Sequence, residues 1–273
     1  MDVHSSTWRT RLGILVVHND PVPEVEIWSM APPGVTVHTA RFESPKRPGI
    51  EYVGSPWGAM LEAPDVARGI EQLARLGTDA ICLCFGSSSF FGGAEFDAGF
   101  AADATRAAGV PVFTAAQAMT AALRDLDVSN PLVVMPPWFT TPTYQATTAY
   151  LMRAGFGVAG LVGFELGEQW REMPAYEIFD AGGRWTVRPE DVHDQVRRGF
   201  PSAADGVLLP GSGFRSREAI EPLERDLGVP VVTSNQACMW QFLRISGSGA
   251  IVDGGGRLLR HVAASRSDRT TVH

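Results

Sequence analysis

Short apolar runs rich in Val, Ile and Leu recur along the chain, separated by longer stretches whose apolar residues return at helical spacing. A run that is apolar throughout, rather than on alternate residues, marks a strand buried on both faces in a parallel sheet. Eight runs read this way: Leu12 to Val17, Val35 to Ala40, Ala80 to Cys84, Val110 to Phe113, Leu132 to Met135, Gly157 to Gly163, Val207 to Leu209 and Val229 to Val232. Helices are predicted over Ala63 to Leu76, Phe96 to Ala107, Ala116 to Leu126, Thr143 to Ala154, Pro189 to Gly199, Arg217 to Leu227 and Gln236 to Ile245. The fold class is α/β.

The pattern is also duplicated. Gly109-Val-Pro-Val-Phe-Thr-Ala-Ala-Gln-Ala118 matches Gly228-Val-Pro-Val-Val-Thr-Ser-Asn-Gln-Ala237 at seven of ten positions without a gap, and self-similarity of that kind marks a repeated structural unit. Upstream of each copy a strand begins at an acidic residue and runs into a small-residue turn, Asp79 to Ser88 in one half and Asp205 to Gly213 in the other. Two pseudo-symmetric halves are predicted, each a four-stranded parallel sheet flanked by helices, with the chain passing from one to the other near Asn130.

With 273 residues and 45% hydrophobic content the chain can bury a substantial core. A net charge of −7 and the lack of any Lys/Arg-rich run argue against a nucleic-acid or anionic-membrane partner. No apolar stretch approaches the roughly 20 residues that cross a bilayer, and the first ten residues hold no apolar signal core. A cytoplasmic location is expected. Cys82, Cys84 and Cys238 sit in apolar segments, as free buried thiols do in reducing compartments. The polar, basic end from Ser265, with Arg266 and Arg269, is expected as a mobile tail.

Ligands of open α/β sheets bind beyond the carboxyl ends of the strands. Four turns converge there: Val17 to Asp20 and Phe85 to Ser89 from one half, Pro136 to Thr141 and Gly211 to Phe214 from the other. A Gly/Ser-rich turn leading into a helix offers unpaired N–H groups and hydroxyls in a favourable dipole. Gly86, Ser87 and Ser88 facing Gly211, Ser212 and Gly213 would then clamp an anion, although either turn alone is equally an ordinary Gly/Ser turn. His18, at a strand end in the expected cleft, can donate, accept or titrate near neutrality. His18, Asp20 and Glu24 match no established ligand spacing and no dinucleotide fingerprint is present, so neither metal nor organic cofactor is expected.

From Val231 to Gly247, with the preceding Ala219 to Gly228, the chain resembles maleate cis-trans isomerases; Gly86-Ser-Ser-Ser-Phe-Phe-Gly-Gly-Ala-Glu-Phe-Asp97 is closer to arylmalonate decarboxylases. Both belong to the aspartate/glutamate racemase superfamily, and the resemblance runs from about Arg11 to about Gly247. It implies two Rossmann-like lobes enclosing the substrate, with the last helix returning to the first lobe, so that residues 1–128 and 237–273 form one lobe and 129–236 the other. It also implies a substrate carboxylate held by turn amides and hydroxyls, and one or two cysteines that add to or protonate the substrate.

Several positions depart from that pattern. Without gaps the two cysteine positions fall on Phe85 and Gly211. Cys84 lies one residue away, but adjacent strand residues point to opposite faces, so it reads either as core or, after a bulge, as a catalytic thiol; Cys238 reads as packing. Where maleate isomerases present Ser-Ser-Asn to the carboxylate this chain has His18-Asn19-Asp20, and an ionised Asp20 there would repel it. Asp20 therefore caps the helix that follows, is neutralised by His18, or meets a hydroxyl or amine of the ligand. Trp138 replaces a substrate-binding Tyr, which points to an aromatic or bulky apolar substrate part; Phe139, Thr140 and Asn235 join the expected pocket, and Tyr144 is either a substitute hydroxyl or a plain surface residue. The aromatic segment Glu165 to Trp185, with Trp170, Tyr176, Phe179 and Trp185, suits a lid, a contact between copies in a homo-oligomer, or packing.

The expected function is a cofactor-independent isomerase or lyase (decarboxylase-like) acting on a small carboxylic acid, with His18 as first and Cys84 as second candidate for proton transfer. The alternatives are a carboxylate-binding protein whose catalysis is altered, and a hydrolase using His18 and Asp20.

Overall fold

The structure is a computed structural model describing residues 9–47, 49–260 and 262; the stretch from Ser265 lies outside them. The first half runs β1 (Thr10–Val17), α1 (Val22–Ser29), β2 (Val35–Phe42), α2 (Trp57–Glu62), α3 (Pro64–Leu76), β3 (Ala80–Cys84), α4 (Gly86–Ala108), β4 (Val112–Thr114), α5 (Ala115–Asp125). The second runs β5 (Leu132–Met135), α6 (Thr141–Arg153), β6 (Gly160–Gly163), α7 (Ala175–Ile178), α8 (Pro189–Gly199), β7 (Val207–Leu209), α9 (Ile220–Leu227), β8 (Val231–Thr233), and then α10 (Ser234–Ile245) and α11 (Gly256–Arg260). The strands form two four-stranded sheets of matching order, β2-β1-β3-β4 and β6-β5-β7-β8, with every pairing parallel.

The sequence repeat has a local physical cause. Gly109 and Gly228 end α4 and α9 in the left-handed region, at φ 71° and 72°. Pro111 and Pro230 lack an N–H, so pairing starts at Val112 and Val231, two residues later than the apolar runs predict; the proline carbonyls still accept from Ile81 and Val207. Thr114 and Thr233 then cap α5 and α10 with the same box: Gln117 N–H donates to Thr114 Oγ1 (3.1 Å) and Gln236 N–H to Thr233 Oγ1 (3.3 Å), while each Gln Oε1 accepts from its threonine N–H. Both helices lie between the sheets, packing on each other and each touching β3 and β8. Trp240 and Phe242, on α10, are fully buried there.

The largest departure from expectation concerns Gly86 to Ser89, read as a turn but forming the first turn of α4. That helix is broken at Gly93 (φ 67°, ψ −165°), and only its second part carries the predicted helical stripe. Two buried carboxylates tie the halves together. Glu26 on α1 accepts from the backbone N–H groups of Ser216 (2.7 Å) and Arg217 (2.9 Å) and from Asn235 Nδ2 (2.7 Å). Asp97 on α4 accepts from Ser89 Oγ (2.6 Å), Thr114 Oγ1 (2.7 Å) and, from α6, Tyr150 Oη (2.6 Å). Among the described residues no helix is long and apolar enough to cross a membrane.

Candidate active site

Parallel pairing sets Val16 beside Cys84 at the ends of β1 and β3, so the turns after these strands are neighbours. They meet the turns after β5 and β7 around a cavity of about 120 Å³. Its walls include Asn19, Asp20, Cys84, Phe85, Gly86, Ser87, Trp138, Phe139, Thr140, Gly211, Ser212 and Gly213, as the sequence led us to expect.

Four expected residues are not in the lining. His18 turns outward: its ring is held near Ser44 N–H (3.3 Å from Nδ1) and Glu43 Oε2 (3.3 Å), beyond the end of β2. Asn235 is buried and donates to the Ser212 carbonyl (2.9 Å) as well as to Glu26, so it holds the Gly211–Gly213 turn from behind. Ser88 is buried one layer out, with Oγ 2.8 Å from Tyr52 Oη. Tyr144 places its hydroxyl against Gly163, away from the cavity. Glu24 is ion-paired with Arg41, which separates it from His18 and Asp20 as a ligand set.

Asp20 is both cap and wall. Its Oδ1 accepts from the Val22 N–H at the start of α1 (3.1 Å), and the carboxylate abuts Gly213, where a Cβ in place of the glycine hydrogen would fall 2.8 Å from Oδ2. Arg41 fixes the turn that carries it, donating through Nη1 to the carbonyls of His18 (2.9 Å), Asp20 (3.2 Å) and Val17 (3.3 Å). The residue is 5% exposed. Burial pushes its carboxyl up to about 7, against the lowering pull of the Val22 N–H, Arg184 and Arg41.

The thiols answer differently. Cys84 touches the cavity wall but is 1% exposed, and its hydrogen bond with Cys238, together with burial, holds its thiol above the ordinary range. The expected position for the second-lobe thiol, Gly211, has φ 115°, and a Cβ there would meet Pro136 Cγ at 2.7 Å. This backbone has no room for a side chain at that position.

Sequence reasoning missed Ser44, Lys46, Glu51, Tyr52, Thr143 and Asp180, which also line the cavity. Lys46 Nζ is 2.9 Å from Asp180 Oδ2 and also donates to the Tyr176 carbonyl; Asn19 Nδ2 donates to Asp180 Oδ1 (2.9 Å). The aromatic segment after β6 is thereby roped over the cavity, where Tyr176 and Phe179 form part of its wall, whereas Trp185 stays exposed. Trp138 meets Phe179 edge-on at 5.0 Å, and Phe85 packs with Tyr52 at 5.5 Å and Phe42 at 6.1 Å. The cavity thus has aromatic sides and polar ends, the ends being the first turn of α4 and the Gly211–Gly213 turn.

The model of the arylmalonate decarboxylase family matches residues 61–259. An arylmalonate decarboxylase from Bordetella bronchiseptica is 29% identical over 205 residues, 74% of this chain and 79% of that one. A maleate isomerase from Nocardia farcinica is 28% identical over 154 residues, 56% of each chain. The structure of unliganded arylmalonate decarboxylase superposes with a TM-score of 0.74 at 24% identity, covering 92% of this chain and 99% of that one. With a family match across most of its length and the two-sheet architecture to go with it, the chain belongs to the arylmalonate decarboxylase family.

Proposed function

We propose that the protein is a lyase or isomerase for a small carboxylic acid bearing an aromatic or bulky apolar group, with Asp20 transferring the proton. The observation that carries this reading is the Asp20 carboxyl, buried in the cavity wall with its ionisation moved to about neutrality. The cavity volume is close to that of the roughly 150 Å³ pocket known to take a benzene ring, which suits one small ring acid. Backbone N–H groups at Gly86 and Ser87, and at Ser212 and Gly213, with the Ser87 and Ser212 hydroxyls, receive the carboxylate and the negative charge that develops on it.

In the decarboxylating direction the bond from the α-carbon to the departing carboxylate breaks, carbon dioxide leaves, and the electron pair is held as an enediolate on the retained carboxylate. Protonated Asp20 gives its proton to the α-carbon and recovers one from water. An isomerase would use the same enediolate-stabilising turns. The names of the relatives, a decarboxylase and an isomerase, support both variants. Aligned without gaps, the thiol positions fall on Phe85 and Gly211, which supports Asp20 as the group that transfers the proton. That alignment also favours a second reading, a carboxylate-binding protein without turnover. Assaying arylmalonates and maleate for product and, separately, for binding decides between them: tight binding with no product from any substrate would leave only the binder.

The lobe boundaries 1–128 with 237–273 and 129–236 are part of the same proposal, supported by the packing of α10 on α1, α5 and β3. A cytoplasmic location is proposed on the strength of three free cysteines.

A further inference from the structure

Three thiols meet in the wall between the cavity and α10, and the reaction proposed above uses none of them. Cys82 and Cys84 are two residues apart on β3, so their side chains leave the same face of the sheet. Cys238 reaches that face from α10. Cys82 Sγ lies 3.4 Å from Cys238 Sγ and 3.9 Å from Cys84 Sγ, and the three sulfurs all fall within 4.8 Å of one another. All three residues are buried in the apolar cluster that also contains Val16, Met119 and Met239. The Cys82 carbonyl is 4.0 Å from Cys84 Sγ, and the Asp20 carboxyl is close enough to act electrostatically on the Cys84 thiol.

We propose that Cys82, Cys84 and Cys238 form a binding site for a soft, three-coordinate thiophilic cation, with Cu(I) as the fitting ion. An ion bonded to three sulfurs in one plane at about 2.3 Å sets them about 4.0 Å apart, since the spacing is √3 times the bond length. From 3.4 Å the Cys82–Cys238 edge opens by about 0.6 Å to reach it, and from 3.9 Å the Cys82–Cys84 edge by about 0.1 Å. A sulfur-only donor set selects soft ions over oxygen-seeking ones. Zinc requires a fourth ligand, and among the described residues no His, Asp or Glu joins the three cysteines. Cys84 touches the cavity, which gives the ion a way in. Each thiol gives up its proton as its sulfur binds the ion, and the three protons leave to cavity water, so binding tightens as pH rises; no electron is transferred.

The test is an anaerobic titration of the reduced, full-length protein with Cu(I) in competition with the chelator bicinchoninate. The folded wild type should retain one Cu(I) per chain and gain a near-ultraviolet thiolate-to-copper band. Cys82→Ala and Cys238→Ala, each shown folded by far-ultraviolet circular dichroism, should hold it roughly 100-fold more weakly, and Zn(II) should be held far less tightly than Cu(I). X-ray absorption at the copper edge of the wild type, which needs no variant to fold, should count three sulfur neighbours. The proposal is overturned by a folded chain with three reactive thiols after denaturation that retains no copper, by folded single variants that bind as the wild type does, or by oxygen and nitrogen neighbours at the copper. Zinc bound as tightly as copper would overturn the three-coordinate assignment.

Discussion

Replacing Asp20 by Asn keeps an oxygen to accept the Val22 N–H and removes the titrating proton, so it separates what the buried carboxyl does for the reaction from what it costs the fold. In the folded protein Asp20 titrates at about 7, against 3.8 for an ordinary aspartate. The folded state therefore holds the proton more tightly than the unfolded chain, and stability fully present below about pH 4 is lost as pH rises to about 7. At about 1.4 kcal/mol per unit, easing off as the folded group itself ionises near pH 7, the window from pH 5 to pH 8 accounts for about 3 kcal/mol. Urea unfolding of wild type and Asp20→Asn at pH 5 and pH 8 measures this as a difference of differences, in which the other titrating groups cancel. The wild type should lose about 3 kcal/mol more than the variant over that range, leaving the variant the more stable protein at pH 8. Turnover should move the opposite way: kcat lower by about 100-fold or more in the variant, and wild-type kcat falling as pH rises past about 7, since the acid form donates the proton. Parallel pH profiles of stability for the two proteins would refute the raised ionisation, and an undiminished kcat would refute the role in proton transfer.

His18→Ala should leave kcat within about threefold of wild type, because the ring points away from the cavity; a loss comparable to that of Asp20→Asn in steady-state assays would return His18 to the mechanism. Glu26→Gln sets an NH₂ group among three donors and should cost about 1–3 kcal/mol in urea unfolding, with KM rising as the Ser212 turn loosens; unchanged stability would mean the strut is not carried by charge. Ser87→Ala should raise KM by no more than about tenfold with kcat nearly unchanged, since the neighbouring backbone N–H groups remain; a kcat collapse would make the hydroxyl itself a reacting group.

The sequence by itself determined what is set locally or by continuous burial. All eight strands lie in or next to the apolar runs, although the edge strand β6 is not buried, with Leu161 41% exposed, and the repeated Gly-Val-Pro-Val-x-Thr-x-x-Gln segments encode a left-handed helix end, a delayed strand start and a capping box within ten residues each. The four segments that wall the cavity followed from the strand ends. Tertiary structure decided the rest, because direction, desolvation and pairing depend on residues far away in the chain. His18 and Asp20 are two apart in one turn, yet the first faces solvent near Glu43 and the second is sealed against Gly213; nothing local distinguishes them. Lys46 and Asp180 are 134 residues apart and Glu26 and Asn235 are 209 apart, so neither the tether over the cavity nor the strut between the halves leaves a short-range signal. Nothing in the sequence joins Cys82, Cys84 and Cys238 until α10, which follows the last strand of the second sheet, brings the third sulfur onto the first.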